Sequence, residues 1–164
     1  MASLALGHNF LPGKMLMTIA ILFFVISCKK DQAANLAPWY PETNANGDSV
    51  LGVFENRIPC ADCERLKFSL VIYQNDQSGL PSTYIMSRIF VGNGDDRFVN
   101  TGNVSITRGT SLDSLHIVYQ LVSGAPEEYQ SFWKIDDNLL FILDANLTPK
   151  VGDAGYGYVL NRVR

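Results

Sequence analysis

Residues 66–74 read Leu66-Lys67-Phe68-Ser69-Leu70-Val71-Ile72-Tyr73-Gln74. Leu66, Phe68, Leu70 and Ile72 fall on one face of an extended chain. Lys67, Ser69 and Tyr73 fall on the other, with Val71 the one apolar exception. Apolar residues at every second position mark a half-buried strand, because successive side chains of a strand point to opposite sides. Asn75-Asp76-Gln77-Ser78-Gly79 then predicts a turn. The pattern repeats in both directions. Residues 49–55 form a first candidate strand, and 83–91, 98–106, 115–122, 129–135, 139–143 and 156–163 follow. Gly92-Asn93-Gly94-Asp95-Asp96, Gly109-Thr110-Ser111, Gly124-Ala125-Pro126 and Asp136-Asp137-Asn138 separate them. No segment carries a sustained 3.6-residue apolar stripe. The predicted fold is all-β: about six to eight short strands in a small antiparallel barrel, whose closure pairs every strand edge.

The N-terminal part gives an address. Residues 15–27 read MLMTIAILFFVIS and follow Lys14. This run suits the core of a signal peptide and is short for a bilayer span. Val25-Ile26-Ser27-Cys28 looks like a bacterial lipobox: branched apolar residues, a small residue, then cysteine. It predicts cleavage before Cys28, lipidation of that thiol and acylation of the new N-terminus. More than one acyl chain is what stable membrane anchoring requires. Residues 1–27 are thus expected to be a signal peptide. Residues 28–48, rich in Ala, Asn and Pro, are expected to be the lipidated N-terminus and a flexible tether. Trp39 and Tyr40, set between Pro38 and Pro41, are an apolar spot in it, expected to dock on the domain surface. Residues 49–164 supply the barrel domain. Cleavage removes Lys14, one of 13 Lys and Arg, and none of the 16 Asp and Glu. The remainder is mildly acidic with no basic stripe, which argues against nucleic acid as a partner.

The chain has three cysteines. With Cys28 assigned to lipid, Cys60 and Cys63 remain, in Pro59-Cys60-Ala61-Asp62-Cys63. A thioredoxin-like CxxC needs a helix start to lower the thiol pKa, and here Glu64-Arg65 leads straight into a strand. A closed zinc site needs two more Cys or His ligands, and His116 is the only histidine after the cleavage site. Two readings stay open. One is a disulfide across the turn, suited to an exported protein, although so short a loop gains little closure entropy. The other is a two-thiolate site for a soft ion such as Cu(I), with Asp62 between the ligands. The two can be redox states of one site. Met86 is the only methionine of the domain, so there is no Met-rich copper path.

Other chemistry is thin. One histidine provides no Ser/His/Asp set, and Gly92-Asn93-Gly94 lacks the third glycine and the helix of a phosphate loop. Asp95-Asp96 and Asp136-Asp137 fall in turns, where solvated acids are ordinary. The chain is not expected to be an enzyme. The alternative function is a lipocalin-like carrier of a small apolar ligand, with Tyr84, Phe90, Tyr119, Phe132 and Trp133 around a cavity. The simpler expectation is that these aromatics fill the core.

The string Gly52-Val53-Phe54-Glu55-Asn56-Arg57-Ile58-Pro59-Cys60-Ala61-Asp62-Cys63-Glu64-Arg65-Leu66 resembles the opening of the NlpE N-terminal domain, a family of copper-homeostasis outer-membrane lipoproteins. The shared features are a glycine, an aromatic, then an apolar residue followed by PCADC and a strand. Leu139-Leu140-Phe141-Ile142-Leu143-Asp144-Ala145-Asn146 and Gly157-Tyr158-Val159-Leu160 resemble later parts of the domain, with Gly157 where the family has Asn. Glu64-Arg65 also departs from the family pattern. The resemblance covers roughly residues 50–163 and only the N-terminal domain. It implies a lipocalin-related barrel held in a Gram-negative outer membrane by the lipid on Cys28. It further implies a role in copper homeostasis or envelope stress sensing. Cys60 and Cys63 would then be a Cu(I) or redox pair, and an envelope protein a candidate partner.

Overall fold

Antiparallel neighbours can be joined by tight turns, and turn residues separate the apolar segments of this chain. The computed structural model describes residues 38–152 and 157–164. In it β1 (Ser49–Ile58), β2 (Arg65–Gln74), β3 (Pro81–Val91) and β4 (Arg97–Arg108) are long strands. β5 (Ile117–Leu121), β6 (Ser131–Lys134), β7 (Leu139–Ile142) and β8 (Val159–Arg162) are short. Each strand pairs antiparallel with the next, and β8 returns to β1, closing an eight-stranded barrel. Each predicted segment contains a strand, with shifted ends. β5 starts at Ile117 rather than at 115, and Tyr129 belongs to a 3-10 turn (Glu127–Tyr129) ahead of β6. Residue 156 lies outside the described residues, as do the signal peptide 1–27, the lipidation site Cys28 and the tether as far as residue 37.

Register carries the alternation of β2 across the sheet. Leu66 faces Phe90, Phe68 faces Arg88, Leu70 faces Met86 and Ile72 faces Tyr84. These residues point inward. Leu70, Ile72, Met86, Phe132 and Leu140 are fully buried there, each contributing about 1.5–3 kcal/mol of transfer free energy for a side chain of this size. Tyr84 and Tyr119 join the same cluster and Phe90 packs at its edge. The interior is thus filled where the sequence allowed a ligand cavity. Trp133 is not part of it: it points outward and stacks on His116 (4.0 Å) and Phe141 (5.8 Å). The Tyr84 hydroxyl donates to the Ser123 carbonyl, which satisfies its polar end inside an apolar core. This bond draws residues 122–124 against β4. A Cβ at Gly102 would strike the Ser123 carbonyl, and one at Gly124, which has φ +76°, would strike the Thr101 carbonyl.

A second apolar cluster lies on the outside of the barrel. Val71 and Tyr73, on the outward face of β2, are as buried as the core, together with Val53 and Tyr40. The chain from Trp39 to Pro41 covers them, and the Tyr73 hydroxyl donates to the Pro41 carbonyl at 2.8 Å. The tether therefore does not extend to residue 48, as the composition of residues 28–48 predicted. Residues 39–164 form one folded unit. Asp48 fastens this entry segment. Its carboxylate accepts from the Ser82 hydroxyl (2.7 Å), the Asn44 amide (2.9 Å) and the Asn75 amide (3.3 Å). The Ser82 bond, then the Asn44 bond, hold the Asp48 carboxyl below its ordinary pKa. Farther out, Arg164 reaches both carboxylate oxygens of Glu42, at 2.8 and 2.6 Å.

Candidate functional site

The turn between β1 and β2 holds the cysteine pair. Pro59 cannot donate to a strand ladder, so β1 stops at Ile58, and the chain turns before β2 begins. Cys60 and Cys63 are joined by a disulfide, with their Cα atoms 5.4 Å apart. The Glu64 amide donates to the Val91 carbonyl at 2.9 Å, which seats the turn on the end of β3. Cys60 packs against the inner cluster, whereas Ala61 and Asp62 between the cysteines are exposed. β2 starts at Arg65, so no helix dipole acts on the thiols when they are reduced. The pair thus sits at the rim, one side against the core and the other in solvent.

Beside the disulfide is a cleft of about 380 Å3 in the mouth of the barrel, bordered by Cys60, Asp62, Leu66, Phe90, Tyr129 and Lys150. Tyr129 is placed there by its 3-10 turn and packs on Phe68 at 5.1 Å between ring centroids. Burial, and secondarily the nearby Glu128 carboxylate, push its phenol pKa up. The Lys150 ammonium lies over the rings of Tyr129 (5.2 Å) and Tyr158 (5.8 Å) and donates to the Glu128 carbonyl at 2.7 Å. Burial lowers its pKa against the smaller opposing pull of Glu128 and Asp144.

No group of three or more His, Cys, Asp or Glu side chains that could hold a metal ion occurs among the described residues. His116 is engaged elsewhere, with the Thr110 hydroxyl 2.9 Å from Nδ1 and the ring against Trp133. Once reduced, Cys60 and Cys63 would offer two thiolates. That donor set suits a soft ion content with few ligands, Cu(I), and does not complete a structural zinc site. Of the paired acids, Asp95 accepts from the Gly92 amide within its own turn (2.9 Å), and Asp137 binds the Lys134 ammonium (2.7 Å). Sequence reasoning missed Lys150, which lies outside any strand, so no periodicity pointed to it.

The sequence profile of the NlpE N-terminal domain matches residues 54–153. No curated protein matches the chain. Among solved structures, a candidate lipoprotein from Shewanella oneidensis aligns at 18% identity and a TM-score of 0.48, covering 76% of this chain and 98% of that one. The Cpx pathway activator NlpE from Escherichia coli aligns at 20% identity and a TM-score of 0.42, covering 64% of this chain and 48% of that one.

Proposed function

This chain belongs to the NlpE N-terminal-domain family, and from that premise we propose that it is a non-enzymatic lipoprotein of the Gram-negative cell envelope. In this reading residues 1–27 are the signal peptide, the lipid on Cys28 holds the protein in the outer membrane, and Cys60 and Cys63 are its responsive group. The observation that carries the proposal is the position of the pair. A disulfide meant only to brace the barrel would be best placed to close a long loop, since short loops gain least. This one closes a turn of two intervening residues at the rim, with Ala61 and Asp62 in solvent. Two electrons and two protons from a dithiol reductant convert it to two thiols. Cu(I) then displaces the thiol protons to bind the thiolates. Copper homeostasis or envelope stress sensing follows if the barrel presents a different rim in the two states to an envelope protein.

The test uses the full chain in nanodiscs. Free thiols are counted before and after reduction, and the reduced protein is titrated with Cu(I) against a chromogenic chelator. Stoichiometric binding that vanishes on reoxidation, and is absent from a Cys60→Ser, Cys63→Ser variant, is expected. Equal Cu(I) binding by that variant, or none by the reduced parent, refutes the thiol site and leaves Cys60–Cys63 as a structural disulfide.

A further inference from the structure

The outward face of β1 to β4 gathers cations that no run of the sequence shows. Register sets Arg57 opposite Lys67, Lys67 opposite Ile89 and Ile89 opposite Arg97, so the three cations share one row across four strands. Like charges directly opposite each other on neighbouring strands destabilise a sheet. Even so, none of Arg57, Lys67 and Arg97 forms an ion pair with a carboxylate among the described residues. All three line a cleft of about 420 Å3 that Trp39 also borders. Arg97 is already set in place there. Its guanidinium lies 5.2 Å from the Trp39 ring and donates to the Ser87 hydroxyl at 2.7 Å. Ser87 lines the same cleft and is 2% exposed; its own hydroxyl hydrogen meets no acceptor among the described residues. Glu55 is the one acid of the lining, and its carboxylate accepts from the Ser69 hydroxyl at 2.9 Å. Asp95 and Asp96, in the turn between β3 and β4, lie outside the lining, and Asp95 accepts from the Gly92 amide.

We propose that this outer cleft binds a phosphate monoester, carried either by a soluble organic phosphate or by a lipid headgroup. Three cations against one carboxylate leave an excess of two positive charges in the lining. A phosphate monoester near neutral pH carries about −1.5 to −2 and matches that excess, whereas a carboxylate ligand leaves about half of it uncompensated. Arg97 keeps guanidinium donors free beyond the one Ser87 takes, and arginine's fork fits phosphate oxygens. Arg57 and Lys67 reach the same head from neighbouring strands about 5 Å apart. The cleft volume is at the small end for ligand sites, which suits a head with a short body. Arg57 and Lys67 are exposed, so salt screens their share and binding weakens as ionic strength rises. The cleft has no lining residue in common with the one beside Cys60. It needs neither the thiols nor the lipid on Cys28, so a failure of copper binding leaves it standing, and the reverse.

The experiment is calorimetric titration of the full chain in phosphatidylcholine nanodiscs, with Trp39 emission followed in a Trp133→Phe background. Glycerol 3-phosphate is compared with acetate and with uncharged glycerol. Saturable one-to-one binding of glycerol 3-phosphate is expected, with acetate weaker by roughly tenfold and no binding of glycerol. Trp39 emission should follow the same isotherm. Arg57→Gln and Lys67→Gln should each weaken binding by roughly threefold to tenfold, the scale of one charge-assisted contact at an exposed position, with near-ultraviolet circular dichroism preserved. Glu55→Gln should tighten it by roughly threefold, because the amide still offers Ser69 an acceptor and the opposing charge is gone. Nanodiscs doped with phosphatidic acid separate the two sources. Loss of the glycerol 3-phosphate titration there supports the site with a headgroup already seated, and an unchanged titration supports it with a soluble phosphate as ligand. No saturable binding in phosphatidylcholine overturns the proposal, as does acetate binding equally tightly. So does binding that leaves Trp39 emission unmoved, a Glu55→Gln variant that binds more weakly, or an Arg57→Gln, Lys67→Gln double variant within about twofold of the parent.

Discussion

Tyr40→Ala removes the side chain that seals the outer cluster over β1, β2 and β3. Tyr40 is 8% exposed and packs with Val53, Val71 and Tyr73, while Ile85 borders the cluster. A tyrosine side chain buries about 150–250 Å2, which at about 25 cal/mol per Å2 gives an upper bound of ~4–6 kcal/mol. A compact unfolded chain lowers that by roughly 10–40%, and Ala keeps its own small share, leaving about 2–4 kcal/mol. Urea unfolding measures it. Trp39 reports locally, because its ring lies 5.4 Å from Tyr40 and 5.2 Å from the Arg97 guanidinium. A Trp133→Phe background isolates its emission. The expected result is a lower urea midpoint together with red-shifted Trp39 emission in the native state. A loss below about 0.5 kcal/mol, the range of an ordinary surface change, with unshifted emission would show that residues 39–41 do not hold the barrel. The outer cluster would then be no second core.

Three further outcomes are expected. Phe132→Ala, at a fully buried core position, should cost about 3–5 kcal/mol in urea unfolding, and a cost under about 1 kcal/mol would contradict a filled interior. Gly124→Ala should destabilise by more than the roughly 1–2 kcal/mol of a left-handed backbone alone, because the new methyl meets the Thr101 carbonyl; a thermal melt matching the parent would refute that close approach. Asp48 and Glu42 have folded pKa values held below their ordinary 3.8 and 4.5, chiefly by the Ser82 and the Arg164 hydrogen bonds. Their contribution is fully present above those ordinary values and is lost as pH falls through the lower folded ones, so stability should decline below about pH 4.5. An Asp48→Asn, Glu42→Gln variant should show a shallower decline, and an identical acid profile would remove both groups from the account.

The barrel was legible because alternation in a half-buried strand is a direct imprint of its geometry. Leu66, Phe68, Leu70 and Ile72 point inward in the structure as the period demanded. Val71 broke the pattern, and the reason is Tyr40: a strand buried on both faces loses its polar side. That covering comes from residues whose composition resembles a linker, so local propensity could not reveal it. Trp133 was misread because a large aromatic on a strand usually faces the core, whereas here it finds cover from His116 and Phe141 outside. The cysteine turn was visible as a motif. Its neighbours in the cleft come from β3, the turn before β6 and the segment after β7, which only the closed register brings together.

The closure of the barrel has a consequence for its time course. Seven of the eight strand pairings join neighbours in sequence, and such hairpins form within microseconds at small loop cost. The remaining one, β1 with β8, sets Phe54 against Arg162 and Glu55 against Asn161, with the Val53 amide donating to the Arg164 carbonyl and the Val163 amide to the Val53 carbonyl. It also spans about a hundred residues of chain, so its loop entropy is lost last. The molecule is kinetically a row of hairpins that becomes a ring in its final step. That seam should also open first, and the amides of Val53 and Val163 should exchange with solvent before those of Leu70 and Met86.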